Sequence, residues 1–220
     1  MKRLMWCLAV VLMLAGCGSG DRQEAATESA ATDTAPSTTQ RPPSTSPAAT
    51  PATVDCAKPG NDVEKLVCTD PDLAALDRRV DELFRQALNE SGADAAQLEA
   101  EQRGWKSGRD DCWKSQDIAR CVLEEYQTRA VELQIGLPGA AASPTVEYRC
   151  TDSGQPVSAV FYNDIDPRSM VLTVGRDRAI LFAQPTGSGI HYSREGADYA
   201  EHQGEVTIDF YGTKLTCTPA

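Results

Sequence analysis

The spacing of apolar residues changes three times along this chain, and each change predicts a different kind of structure. Residues 5–15 form a nearly unbroken apolar run behind Lys2 and Arg3. Residues 18–54 carry Ala, Ser, Thr and Pro with no aromatic side chain. From residue 55 to 137 apolar positions recur at three- and four-residue steps, the period of an amphipathic helix. After 145 the period falls to two, the mark of half-buried strands.

The helical stretch divides at recognisable stops and starts. Asn61 with Glu64 has capping-box spacing, and Val63, Leu66 and Val67 then share a face. Thr69-Asp70-Pro71 is a second start signal, with proline suited to the first helical position. Leu73, Leu76, Val80, Leu83, Phe84 and Ala87 follow as a stripe that ends near Gly92. A third helix places Leu98, Trp105 and Cys112 on one side, and a fourth, from Ile118, carries Val122, Tyr126, Ala130 and Leu133. Four such stripes must pack on one another, which predicts a small helical domain over 55–137. Its carboxylates alternate with Arg and Lys and read as solvated faces. Residues 138–145, rich in Pro, Gly and Ala, read as a linker. Strands follow over 146–150, 157–162, 170–174, 179–183, 190–193, 198–201, 205–211 and 214–218, with Gly175, Gly196, Gly204 and Gly212 at turns. So many short antiparallel strands in 146–220 predict closure into a barrel, which removes exposed edges. The expected class is α+β with two domains: a small disulfide-stapled α-helical domain, then a small antiparallel eight-stranded β-barrel.

The apolar run of residues 5–15 is too short to span a hydrocarbon core of about 30 Å. It reads as the core of a signal peptide over 1–16, and Leu14-Ala15-Gly16-Cys17 has the form of a bacterial lipobox. Cleavage before Cys17 would leave a thiol for lipid attachment, predicting an extracytoplasmic protein held at the cell membrane. Residues 17–54 then form a lipidated cysteine and a spacer with too little apolar surface to fold. In that oxidising compartment Cys56, Cys68, Cys112, Cys121, Cys150 and Cys217 are a disulfide framework. Local pairing 56–68 and 112–121 would staple two helix junctions, and 150–217 would join the barrel's first and last strands; other connectivities remain open from sequence. With two histidines and no closely spaced CxxC pairs, the chain predicts no metal site and no cofactor.

The formal charge of −11 argues against nucleic acid as a partner and suits a cationic one. Losing Lys2 and Arg3 with the leader takes it from −11 to −13. Catalytic constellations are sparse. Ser188, His191 and Asp198 invite a serine-hydrolase reading, but Ser188 lacks the Gly-x-Ser-x-Gly setting of a nucleophile elbow. Gln102, Trp105, Arg109 and Cys112 share one side of a helix, and packing explains them better than a ligand groove. No enzymatic activity and no small-molecule substrate are expected.

The loop 184–189, with Ser188 between two glycines, leads to a resemblance. Tyr148-x-Cys150, Ser188-Gly189-Ile190-His191-Tyr192, the Gly204-Glu205 turn and the closing Cys217 resemble the domain of the membrane-bound inhibitors of c-type lysozyme. Asp55-Cys56-Ala57-Lys58-Pro59, Glu64-Lys65-Leu66-Val67-Cys68 and Gln102-x-x-Trp105-x-x-x-Arg109-x-x-Cys112 resemble the helical domain of LprI-type lipoproteins. The resemblance implies inhibition of a c-type lysozyme at the cell envelope. In that family a loop serine enters the enzyme's cleft and a lysine at a later turn reaches a catalytic carboxylate. It therefore implies contact through Ser188, Gly189, Tyr192, Gln203 and Gly204. Here Gln203 stands where the family has its lysine, with His202 before it. Gly187 replaces an alanine and His191 an arginine; Arg194 or a protonated His202 could substitute for the lysine. A different reading makes the chain an envelope adaptor that binds its partner through the helical domain.

Overall fold

A computed structural model of the protein describes residues 54–151 and 153–220. The signal segment 1–16, Cys17 and the spacer up to residue 53 lie outside the described residues. Four helices come first: α1 (Asp62–Thr69), α2 (Pro71–Ser91), α3 (Ala95–Asp110) and α4 (Ile118–Gly136). Eight strands follow: β1 (Val146–Cys150), β2 (Val157–Tyr162), β3 (Ser169–Val174), β4 (Asp177–Ala183), β5 (Ile190–Arg194), β6 (Ala197–His202), β7 (Glu205–Phe210) and β8 (Thr213–Pro219). Each strand pairs with the next and β8 returns to β1, so the sheet closes as an antiparallel barrel. No helix among the described residues is long and apolar enough to cross a membrane.

Local chemistry sets the helix ends. The Glu64 amide donates to Asn61 Oδ1 at 2.8 Å, as in a capping box. The return bond runs one residue further than that motif requires, from the Gly60 amide to Glu64 Oε2. Asp70 caps α2 by accepting from the Asp72 and Leu73 amides, with Pro71 at the first helical position. All three disulfides form as the pattern suggested: Cys56–Cys68, Cys112–Cys121 and Cys150–Cys217. The last joins residues directly opposite one another on β1 and β8.

The helices bury Val63, Val67, Leu73, Val80, Leu83, Val122, Tyr126, Ala130 and Leu133 in one core. Two features depart from the expected pattern. The most buried positions of α3 are Gln102 and Arg109, while Leu98 and Trp105 pack only partly against the core. The helical carboxylates are not all on solvated faces, since Asp77 and Glu124 are buried. Each is compensated: Tyr126 Oη donates to Asp77 Oδ1 at 2.9 Å, and Glu124 accepts from Arg120 and from a barrel amide.

That barrel amide belongs to a seam along α4. Near one end, the Glu195 amide donates to both Glu124 oxygens at 3.0 Å. Near the other, Gln134 Nε2 donates to the Asp166 carbonyl at 2.7 Å, and its Oε1 accepts from the Asp166 amide. Phe182 points out of the barrel by the two-residue alternation of β4, yet it is only 4 % exposed. Among the described residues, Phe182 and Val131 are the buried hydrophobics that belong to neither core. α4 is thus buried on two sides, which explains why its sequence shows so little amphipathic contrast.

Candidate functional site

An antiparallel meander alternates its connections between the two ends of the barrel. The connections 163–168, 184–189 and 203–204 therefore share one rim, although they lie far apart in sequence. Asp164, Asp166, Glu201 and Glu205 stand on or beside these connections, and Arg168 is the one Lys or Arg within them. The turns at 175–176, 195–196 and 211–212 lie at the opposite end.

Ser188 is exposed at the tip of the 184–189 connection, and its hydroxyl has no hydrogen-bond partner among the described residues. The segment beneath that hydroxyl is tightly held. The Gln184 amide donates to the His191 carbonyl at 2.9 Å, closing the base of the loop. Thr186 Oγ1 donates to the Ser188 carbonyl at 2.7 Å and accepts from the Ser188 amide at 3.4 Å. Gly189 has φ +76°, and a Cβ built there would sit 2.2 Å from the Glu201 carbonyl oxygen. Only glycine fits that contact, which presses the loop against the end of β6. The neighbouring turn is braced too: Gln203 (φ 53°) and Gly204 (φ 85°) both adopt left-handed conformations. The Gly204 amide donates to Glu201 Oε1 at 3.0 Å. Glu201 thus ties the Ser188 loop to the Gln203-Gly204 turn through its backbone and its side chain.

Tyr192 lies inside the barrel rather than on the rim surface. It is buried, and its hydroxyl donates to Asn163 Oδ1 at 3.5 Å, reaching the third connection of the same rim. Its ring packs on Phe161 at 5.6 Å, and Phe161 packs on Tyr199 at 6.0 Å. Tyr199 shares a 2.9 Å hydroxyl contact with Tyr148. Burial pushes the hydroxyls of Tyr148, Tyr192 and Tyr199 above the ordinary tyrosine range, so this floor carries no charge.

The hydrolase constellation is only half assembled. His191 Nε2 lies 2.7 Å from Asp198 Oδ2, across β5 and β6. Only the Ser188 backbone bonds Thr186, and among the described residues no bond joins its hydroxyl to His191. Of the two residues that could replace the missing lysine, His202 is at the rim, its Nδ1 3.5 Å from the Cβ position of Gly189. Arg194 is at the far end of β5, where its guanidinium faces Thr128 of α4 at 3.5 Å. On the helical side, Gln102, Trp105, Arg109 and Cys112 are packing residues: Trp105 Nε1 donates to the Glu125 carbonyl, and Arg109 donates to Tyr126 and Asp110.

Ile190 is a rim residue that pattern reading placed simply as the start of a strand. It is 42 % exposed beside Gly189. By alternation it shares the inward face of Tyr192, but at the mouth of a barrel the inward face opens to solvent. The signal that could have revealed it is position: an apolar residue at the first inward site after a loop has no layer above it.

Comparison with known proteins adds a second line of observation. A family described as lysozyme inhibitor LprI matches residues 55–133, and one described as membrane-bound lysozyme-inhibitor of c-type lysozyme matches residues 148–216. Lipoprotein LprI of Mycobacterium tuberculosis is 43 % identical over 164 residues, spanning 74 % of this chain and 82 % of the relative. Lipoprotein LprI of Mycobacterium bovis gives the same figures: 43 % identity over 164 residues. No solved structure matches the chain.

Proposed function

The chain belongs to the LprI family of lysozyme-inhibitor lipoproteins, and from that premise we propose that it blocks a c-type lysozyme by inserting the Ser188 rim of its barrel into the enzyme's catalytic cleft. The observation that carries this reading is a hydroxyl without a partner among the described residues, at the tip of a loop whose backbone is fixed by Thr186, Gly189 and Glu201. A lysozyme cuts with two carboxyl groups flanking the scissile bond. A serine hydroxyl donating to one of them forms a charge-assisted bond, about 1.5–3 kcal/mol. Because the loop is ordered before contact, little conformational entropy is lost on binding.

The rest of the rim fits the same partner. Asp164, Asp166, Glu201 and Glu205 favour encounter with a basic enzyme. Ile190 offers apolar area beside the hydroxyl. Gln203, on its left-handed turn, presents a neutral amide where the family has lysine, so the second anchor is a hydrogen bond without a charge. Arg194 does not supply that charge, being engaged with α4. Tyr192 acts from below, holding the strand that leaves the loop to Asn163. A lipid on Cys17 would keep the inhibitor at the cell membrane, beside the peptidoglycan it protects. The role is non-catalytic.

A lysis assay tests this directly. The soluble mature chain should suppress a c-type lysozyme at micromolar excess, where a Kd of 1 μM corresponds to about −8.2 kcal/mol. More cell-wall substrate should relieve the inhibition, and Ser188→Trp should weaken it. Undiminished lysis at that excess would overturn the proposal.

A further inference from the structure

The corner between α3 and α4 carries a feature that neither the fold nor the barrel rim uses. Trp113 is 62 % exposed, the largest apolar side chain left to water among the described residues. It lies on the short 3₁₀ turn Asp111–Lys114, next to Cys112, which is buried and disulfide-bonded to Cys121. The indole is therefore free to meet a ligand while its backbone is pinned. It forms one wall of an open cleft of about 500 Å³ shared with Asn61, Asp62, Lys65, Ser107 and Asp111, a size in the range of small-molecule sites.

The charges in this cleft decide what it suits. Asp62 pairs with Lys65 at 2.8 Å, and Asp111 pairs with Lys114 at 2.7 Å. Asp110 is held by Arg109 at 2.6 Å and by Asn61 Nδ2 at 3.0 Å. Every carboxylate is thus balanced by a cation of the same chain, in contrast to the barrel rim. Lys114 Nζ already lies 5.6 Å from the centre of the Trp113 ring, where an incoming cation would otherwise bind. A basic protein gains little here. What remains is the indole surface that Lys114 leaves exposed, bordered by carboxylate and amide acceptors, ammonium donors and the Ser107 hydroxyl. A pyranose ring has the complementary chemistry: a flat C–H face for the indole and a rim of hydroxyls that both donate and accept.

We propose that the Trp113 cleft binds a sugar unit of a neutral glycan, giving the helical half a carbohydrate-binding role separate from the barrel's. The test uses the full mature chain, whose tryptophans are Trp105 and Trp113. Trp105 is tied to the Glu125 carbonyl, so the solvent-exposed emission reports on Trp113. Titration with tetramers of N-acetylglucosamine, of β-linked glucose and of α-linked glucose should give a saturable blue shift with at least one. Calorimetry should then find binding about tenfold weaker in Trp113→Ala, or about 1.4 kcal/mol. Trp113→Tyr should retain most of the affinity, and Ser188→Trp all of it. The proposal is overturned if none of the three tetramers binds saturably, or if Trp113→Ala, with an unchanged melting temperature, binds as the parent does. A salt-sensitive preference for an oligoarginine peptide at Trp113 would also overturn it, in favour of a cationic partner.

Discussion

The two halves of this protein solve the problem of a small core in opposite ways. In the barrel the buried set is almost wholly apolar, with Ser169 the one buried polar residue outside the tyrosines among the described residues. Ser169 satisfies itself locally, its hydroxyl donating to the Pro167 carbonyl. In the helical half the centre is a polar chain. Arg109 Nη1 donates to Tyr126 Oη at 2.9 Å, Tyr126 Oη donates to Asp77 Oδ1 at 2.9 Å, and Asp77 Oδ2 accepts from the Val54 amide at 3.2 Å. Arg129 Nε donates to Gln102 Oε1 at 2.7 Å nearby. Burial opposes the charge on Arg109, but Tyr126 and Asp110 outweigh it and hold the guanidinium firmly protonated. The contrast teaches that alternation and a closing disulfide suffice to specify the barrel. The helices gain their mutual register from directional bonds among groups that must all be present together. A barrel specified that way leaves its rim connections free to specialise in recognition.

The sharpest way to break this contrast is to remove the helical centre. Arg109→Met leaves Asp110 and the Tyr126 hydroxyl without their cation, and about 3–5 kcal/mol of stability should be lost in urea unfolding. A loss below about 1 kcal/mol would mean that the chain of bonds is incidental. The matching change in the barrel is the double substitution Tyr148→Phe with Tyr199→Phe. It deletes both partners of the 2.9 Å hydroxyl contact, leaves no orphan, and should shift stability by no more than about 1 kcal/mol. Equal losses from the two experiments would erase the distinction drawn here.

The smallest effect concerns the seam. Burial holds the Glu125 carboxyl above its ordinary value, while Arg194 pulls it down less strongly. A carboxyl raised by folding binds its proton more tightly in the folded state, so its ionisation weakens the fold as pH climbs through that raised value. Glu125→Gln should therefore raise the denaturation midpoint slightly at neutral pH. The gain should fade in acid, once an ordinary carboxyl is protonated at about pH 4. A gain that grew on acidification would reverse the sign of this argument.

Much of this architecture was legible from residue spacing. Val146, Tyr148 and Cys150, or Val157 and Ala159, announce strands because one face is apolar. The strand expected over 179–183 begins two residues earlier, with Asp177 paired to Val174 at the end of the β3–β4 hairpin. A strand end that tight is invisible to a pattern that counts only apolar positions. The buried face of α3 was harder to see, because Gln102 and Arg109 look like surface residues until their partners 27 and 17 positions away are brought alongside. The seam was hidden for a related reason: Glu124 is buried by a backbone amide, which has no sequence signature. At the rim, Ser188 and Gly189 stood out by their small neighbours, and Tyr192 was grouped with them by motif. Its burial follows from the strand alternation that also turns Ile190 toward the open mouth.

The central claim is that the Ser188 tip enters the enzyme's cleft, and site-directed photocrosslinking tests it most directly. The full mature chain carrying p-benzoylphenylalanine in place of Ser188 would be irradiated with a c-type lysozyme. The adduct should map to residues lining the carboxyl-bearing groove and should vanish when an oligosaccharide occupies that groove. An adduct on the enzyme's outer surface, or one indifferent to the oligosaccharide, would contradict the account.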